Sequence, residues 1–203
     1  MKIICVGRNY KEHAKELKNA VPTEPVIFLK PDSAILRNNQ PFFIPDFSKN
    51  LHYEVEIVYK ICKVGKTIAT RFAHRYYDSI AIGIDFTARD IQENCRKKGL
   101  PWEISKAFDS SAAISKFIAK SEFENINNIT FSLLKNEKQV QLGNTSDMIF
   151  SIDNVIAYVS NYFTLKTGDL IYTGTPVGVG PVCKGDNLKA FIGEKKMMDF
   201  YIQ

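Results

Sequence analysis

The stretch NLHYEVEIVYKI, residues 50–61, decides how the chain is read. Tyr53, Val55, Ile57 and Tyr59 alternate with Glu54, Glu56, Val58 and Lys60, the period-two pattern of a β-strand with one apolar face. On such a strand Glu54 and Glu56 point the same way, about 6–7 Å apart, where two bare carboxylates repel. A solvated sheet edge tolerates that repulsion and a bound cation removes it. The strand taken alone favours the solvated face.

Outward from this stretch, strand patterns predominate. IICVG (residues 3–7), PVIFLKP (25–31) and IAIGIDF (80–86) read as strands, the last as one buried on both faces. ITFSLLKN and KQVQLG flank Asn136 and Glu137 as a hairpin. The C-terminal GDLIYTGTPVGVGPVCKGDNLKAFIG (168–193) reads as strands punctuated by Gly-Asp turns. Helices are fewer. NYKEHAKELKN (9–19) is expected to be capped by Asn9, with Glu12 at the capping-box position and a thin apolar seam of Tyr10, Ala14 and Leu17. TARDIQENCRKKG (87–99) is expected to be capped by Thr87 and ended by Gly99, and DNVIAYVSNYF (153–163) to be capped by Ser151. Helices and strands do not alternate regularly. This argues for a mainly β (α+β) domain with a mixed sheet and peripheral helices, and against a doubly wound sheet.

With 203 residues, 45% of them hydrophobic, the chain is long enough for one domain, 1–203, with a sizeable core. It holds no apolar run long enough to cross a bilayer. Its start reads as neither signal peptide nor organelle presequence, so a cytoplasmic location is expected. Cys5, Cys62, Cys95 and Cys183 are scattered without metal-ligand spacing and are expected to be reduced. A net charge of +5 is spread along the chain, with RKK at residues 96–98 the densest run besides EKK. No nucleic-acid or membrane partner is expected, and a small anionic substrate suits the balance. TGTPVGVG lacks the Gly-Lys-Ser/Thr of a P-loop, and Cys183 stands where a dinucleotide fingerprint needs its third glycine.

The residues that carry chemistry are acidic first. Asp85 ends an apolar strand, and with Glu54 and Glu56 it makes an all-oxygen ligand set suited to Mg²⁺ or Mn²⁺. Arg89 and Gln92 stand three apart on one helix face, a fork and an amide for a carboxylate. His13 and Glu16 also share a face, as an exposed surface pair would. Lys106, in LPWEISKAFDSS (100–111), lies three residues after Glu103. Each residue has an ordinary structural use as well, and spacing alone does not choose.

Seven blocks in this order, CVGRNYKEHAKEL, EPVIFLKP, NLHYEVEIV, GIDFTARDIQ, KKGLPWEISKAFD, SDMIFSI and GDLIYTGTPVGVGPV, resemble the fumarylacetoacetate hydrolase family. The resemblance is nearest to its single-domain acylpyruvases, which also decarboxylate oxaloacetate. It implies a mixed β-sandwich roll, usually homodimeric. It implies that Glu54, Glu56 and Asp85 hold Mg²⁺ or Mn²⁺, which answers the repulsion of the glutamate pair with a cation. It further implies that His13 and Glu16 form a water-activating dyad on a lid helix and that Lys106 stands beside the metal. Arg8, Arg89, Gln92 and Thr175 match positions around the substrate, a small anionic 2-oxo acid. The activity implied is cleavage of acylpyruvates to pyruvate and a carboxylic acid, with oxaloacetate decarboxylation through the same enolate. An isomerase or decarboxylase of unsaturated dicarboxylic acids from aromatic catabolism, and a non-catalytic metal- or carboxylate-binding domain, are the alternatives.

Overall fold

The computed structural model describes residues 1–16 and 21–203. Its strands in chain order are β1 (Ile3–Gly7), β2 (Val26–Lys30), β3 (Ile35–Leu36), β4 (Leu51–Tyr53), β5 (Val55–Ile61), β6 (Tyr77–Asp85), β7 (Thr87–Ala88), β8 (Ala112–Ile114), β9 (Ile118–Ala119), β10 (Thr130–Lys135), β11 (Lys138–Asn144), β12 (Leu170–Tyr172), β13 (Gly180–Pro181), β14 (Asn187–Ile192) and β15 (Lys195–Tyr201). The α-helices are α1 (Lys11–Glu16), α2 (Thr70–Ala73), α3 (Arg89–Lys98), α4 (Glu103–Lys106) and α5 (Ile152–Tyr162).

Eight strands make one mixed sheet in the order β2-β1-β12-β5-β6-β8-β3, with β9 beside β6. β1 lies parallel to β12 and β3 parallel to β8, and the remaining pairs are antiparallel. The strands at the two ends of this order, β2 and β3, are joined only by residues 31–34. Fully extended, the link from Lys30 to Ile35 reaches about 16–18 Å. Six strand spacings in a flat sheet amount to about 29 Å. The sheet must therefore curl until its edges approach one another, as twisted strands permit.

Curling changes the reading of residues 50–61. They form two strands: β4 pairs with β7 and β13, β5 pairs with β6 and β12, and the chain changes sheet at Glu54. Both faces of β5 are covered. Ile57, Tyr59 and Ile61 join the large core shared with Phe131, Leu133 and Leu188 of the β11-β10-β14-β15 sheet. Val58 joins a smaller cluster with Cys5, Ala81 and Tyr172. The expected solvated glutamate face is thus enclosed: Glu54 is 5% and Glu56 2% exposed.

Small residues make room inside the roll. Gly83 lies directly opposite Glu56, and a Cβ there would stand 2.5 Å from Tyr172 Cε1 and 2.9 Å from the Ala113 carbonyl. Only glycine lets the Tyr172 ring, whose hydroxyl donates to Ala113 O, fill that space.

The expected element ends are partly met. Asn136 and Glu137 turn the β10–β11 hairpin with φ of 52° and 64°, the left-handed pair of a tight two-residue loop. Gly99 ends α3 with φ 65°, and Ser151 Oγ accepts the Asn154 N–H at the start of α5. Two caps are corrected. Thr87 is a strand residue paired with His52, and Ala88 precedes α3 without a side-chain cap. Asn9 spends its side chain across the fold: Nδ2 donates to Phe150 O and Thr173 O, and Oδ1 accepts Phe150 N–H. Of the seam expected for the first helix, Tyr10 is buried. The Ala14 side chain, Leu17 and the expected helix end at residues 17–19 lie outside the described residues.

Candidate active site

Six segments deliver polar side chains to one cavity. The loop after β1 and the first turn of α1 bring Arg8 and His13, and the β4–β5 junction brings Glu54 and Glu56. The end of β6 brings Asp85, α3 brings Arg89 and Gln92, and the last residue of α4 is Lys106. Thr175, after β12, completes the set. Glu16 does not line the cavity and reaches it through His13, whose Nδ1 lies 3.0 Å from Glu16 Oε2. Glu16 Oε1 accepts the Gly178 N–H at 3.1 Å, so the glycine-rich loop holds the carboxylate that holds the imidazole.

Ligand oxygens of Glu54, Glu56 and Asp85 lie within 4.8 Å of one another. Cations surround two of the three. Lys106 Nζ donates to Glu54 Oε2 and Asp85 Oδ2, both at 2.7 Å, and to Thr87 Oγ1 at 2.5 Å. Arg89 donates to Glu54 Oε1 at 2.5 Å and to Gln92 Oε1 at 2.6 Å. Lys30 Nζ stands 2.7 Å from Asp85 Oδ1, yet among the described residues that oxygen accepts no aligned hydrogen bond.

These contacts set the electrostatics. Burial would push the Glu54 carboxyl up, but Lys106 and Arg89 outweigh it and hold it far below the usual carboxylate range. Glu56 goes the other way. Burial, then the charges of Asp85 and Glu54, hold its carboxyl well above the usual range, and the Gly174 N–H at 2.8 Å offsets only part. Burial would lower the Lys106 pKa, but Asp85 and Glu54 raise it above the ordinary lysine value, so it stays an ammonium.

The set therefore fits a divalent cation at two points: a buried Asp85 oxygen without a donor, and a Glu56 carboxylate opposed by two neighbouring charges. The donors are all oxygens, as Mg²⁺ and Mn²⁺ require.

Gly174 has φ 96°, and a Cβ there would lie 2.9 Å from Asn9 Cβ and 3.0 Å from Val6 O. Glycine is thus needed both for the turn and for the close approach that aims its N–H at Glu56.

Two residues of this network were not singled out from the sequence. Lys30, 2% exposed, also donates to Ser111 Oγ at 2.9 Å, Ser111 O at 3.1 Å and the Lys106 carbonyl. It ties α4 to β2 beneath the carboxylates. Gln141, also 2% exposed, accepts Val55 N–H and donates to Thr175 Oγ1 at 2.9 Å, fixing that hydroxyl from the outer sheet. Lys30 does carry a sequence signal, a lone cation ending an apolar strand before a proline.

The family described as fumarylacetoacetate (FAA) hydrolase C-terminal matches residues 2–202. "Oxaloacetate tautomerase FAHD1, mitochondrial" of Mus musculus is 44% identical over 201 residues, covering 99% of this chain and 91% of that protein. "Oxaloacetate decarboxylase, mitochondrial" of Dictyostelium discoideum is 43% identical over 192 residues, covering 94% and 88%. Among solved structures, a fumarylpyruvate hydrolase from Pseudomonas aeruginosa in complex with Mn²⁺ and pyruvate superposes with a TM-score of 0.95. It is 34% identical, with 100% of this chain and 89% of that chain covered.

Proposed function

The chain belongs to the fumarylacetoacetate hydrolase family, and from that premise we propose that it acts on oxaloacetate and related short 2-oxo acids through their enol forms. It would interconvert keto and enol oxaloacetate and release CO₂ from it. The observation that carries this reading is that the His13 imidazole and the Lys106 ammonium line one cavity. Proton transfer at the carbon next to a carbonyl needs a base and a fixed positive charge near the oxygen.

Glu54, Glu56 and Asp85 are the residues that would hold Mg²⁺ or Mn²⁺. When bound, the ion supplies Lewis-acid polarisation of the 2-oxo group.

The remaining steps belong to the chain's own groups. Arg89 and Gln92 orient the substrate carboxylate. His13, with Nδ1 engaged by Glu16, presents Nε2 to the carbon beside the carbonyl and takes its proton. The electron pair moves to oxygen, where Lys106 offsets the charge, and the imidazolium returns the proton to oxygen to complete the enol. In decarboxylation the bond to the departing carboxylate breaks instead. The same electron pair moves to oxygen, and proton delivery to carbon gives pyruvate.

The water-accessible volume of the cavity is about 40 Å³, room for about three waters and too little for such an acid. Entry requires a wall to open, and the short α1 that carries His13 is the part suited to do so.

A second reading, acylpyruvate hydrolysis, is favoured by the His13–Glu16 pair, which is also a base and its orienter for activating water. Isomerisation of unsaturated dicarboxylic acids would use the same proton transfer without that water. A purely binding domain would have no use for the oriented imidazole. The homodimer and the cytoplasmic location belong to the same proposal. No described helix is long and apolar enough to cross a membrane.

The test follows enol oxaloacetate by its ultraviolet absorbance, and pyruvate formation, with purified protein in Mn²⁺ or Mg²⁺ and again in EDTA. Both rates should exceed the metal-only control and collapse in EDTA. Rates equal to that control would remove the proposal, and rapid cleavage of acetylpyruvate alone would favour the second reading.

A further inference from the structure

The outer sheet sends one polar side chain inward beside the cavity. On β11 Gln141 and Gly143 are buried on either side of the exposed Leu142, as the two faces of a strand require. A glutamine in that place loses water at both ends of its amide, so each end needs a partner. Oε1 accepts the Val55 N–H at 3.0 Å, and Nε2 donates to Thr175 Oγ1 and to Pro176 O, both at 2.9 Å.

Two of these partners settle which way the amide faces. A backbone N–H only donates and a carbonyl only accepts, so Val55 fixes the amide oxygen and Pro176 fixes the nitrogen. Thr175 therefore meets a donor, and its Oγ1 is the acceptor of that bond. The hydroxyl hydrogen must point elsewhere, and among the described residues no acceptor takes it. Thr175 is 3% exposed and lines the cavity with Arg89 and Lys106, so an acceptor for that hydrogen belongs in the cavity.

The loop that carries Thr175 is seated on the same strand. Pro176 lies over Gly143, where a Cβ would stand 2.9 Å from its Cγ, and Gly178 lies against Val140 O with no room for a Cβ. Gly174 serves Glu56 and Gly178 serves Glu16 through backbone N–H groups, whose direction the chain itself sets. A hydroxyl rotates and needs a neighbour to hold its direction.

We propose that Gln141 is a positioning residue whose amide holds the Thr175 hydroxyl as a hydrogen-bond donor to an anionic oxygen of the bound substrate. This rests on the reading of the cavity as a 2-oxo acid site. A free hydroxyl could turn its lone pairs toward the anion, and the amide removes that option. The donor is thus set before the substrate arrives, which lowers the ordering cost of binding.

The test titrates pyruvate calorimetrically into protein saturated with Mg²⁺. Wild type should bind it. Thr175→Val should weaken pyruvate by about 10- to 100-fold, the worth of a hydrogen bond to a charged group. Gln141→Met keeps the length and only frees the hydroxyl, so about 3- to 10-fold is expected, the worth of a neutral bond. Gln141→Glu keeps the acceptor for Val55 and, ionised, draws the Thr175 hydrogen to itself, so it should weaken pyruvate even where Gln141→Met fails to fold.

Both effects should shrink once the hydroxyl is gone. In Thr175→Val, Gln141→Met should change affinity by no more than about twofold, and Gln141→Glu by less than it does in wild type. Thermal melting records the stability lost with the Val55 contact, but a merely structural loss would weaken pyruvate equally with and without the Thr175 hydroxyl. Losses that add in the double variants, or unchanged pyruvate affinity in both Gln141 variants, would overturn the positioning role. Wild type that binds no pyruvate would remove the 2-oxo acid reading and this role with it, whereas coupled pyruvate binding without oxaloacetate turnover would remove the proposed activity alone.

Discussion

Replacing Lys30 with methionine tests whether the cation network beneath the carboxylates is built as described. Lys30 is 2% exposed, and its ammonium meets Asp85 at 2.7 Å, Ser111 Oγ at 2.9 Å and Ser111 O at 3.1 Å. Methionine keeps the length and removes the charge and its donors. Removing one partner of a buried ion pair costs about 3–5 kcal/mol, because the other charge stays buried. Asp85 keeps Lys106 at 2.7 Å, so the lower end applies, about 3 kcal/mol. For a chain of this size that corresponds to a fall in Tm of about 6–12 °C.

The measurement is thermal unfolding of wild type and Lys30→Met, each in EDTA and in Mn²⁺. A dication against Asp85 replaces part of the missing charge, so Mn²⁺ should raise the variant's Tm more than the wild type's. A variant melting within about 2 °C of wild type in EDTA would refute the account of the network. A deficit untouched by Mn²⁺ would refute Asp85 as a ligand.

Two further outcomes follow from the site. The Glu56 carboxyl is held above its ordinary value first by burial and then by Asp85 and Glu54. Its contribution to metal-free stability is therefore complete below the unfolded value near 4.3 and is lost as pH rises through the raised folded value. Melting in EDTA against pH should show that loss in wild type and not in Glu56→Gln, and metal binding to wild type should release protons in calorimetry across buffers. Glu16→Ala removes the orienter 3.0 Å from His13. It should cut acylpyruvate hydrolysis by about 10²- to 10⁴-fold and oxaloacetate decarboxylation much less, read as kcat on each; equal losses would leave α1 a lid only.

Local chemistry was legible wherever a residue's partners are near in sequence. Gly99, Ser151 and the Asn136–Glu137 turn act on their own neighbours, and a single sequence displays them. Residues whose partners are distant were misread or passed over. Thr87 looks like a helix cap because the cap is a local option, but its hydroxyl accepts from Lys106, nineteen residues on. Asn9 looks like a cap for the same reason and binds residues 150 and 173. The alternation at Glu54 and Glu56 fixed which side they share and not whether that side is wet. Burial came from the curl of the sheet, set by a link between β2 and β3 that no periodicity records. Lys30 was passed over because a lysine at a strand end usually leads to solvent, and here it leads into the roll.

The place of β12 has a consequence for synthesis. This strand, residues 170–172, lies in the middle of the main sheet between β1 and β5, and Asn9 is bonded to the residue just after it. A chain growing at about 5–20 residues per second needs roughly 8–33 s to travel from Asn9 to Thr173. Until then the inner edges of β1 and β5 have no partner between them, and the loop leading into α1 has no anchor. The nascent chain therefore carries two open strand edges through more than half of its translation. Such edges invite pairing with other chains, so during that interval the protein's risk is intermolecular association, which ends when three residues slot between strands made long before.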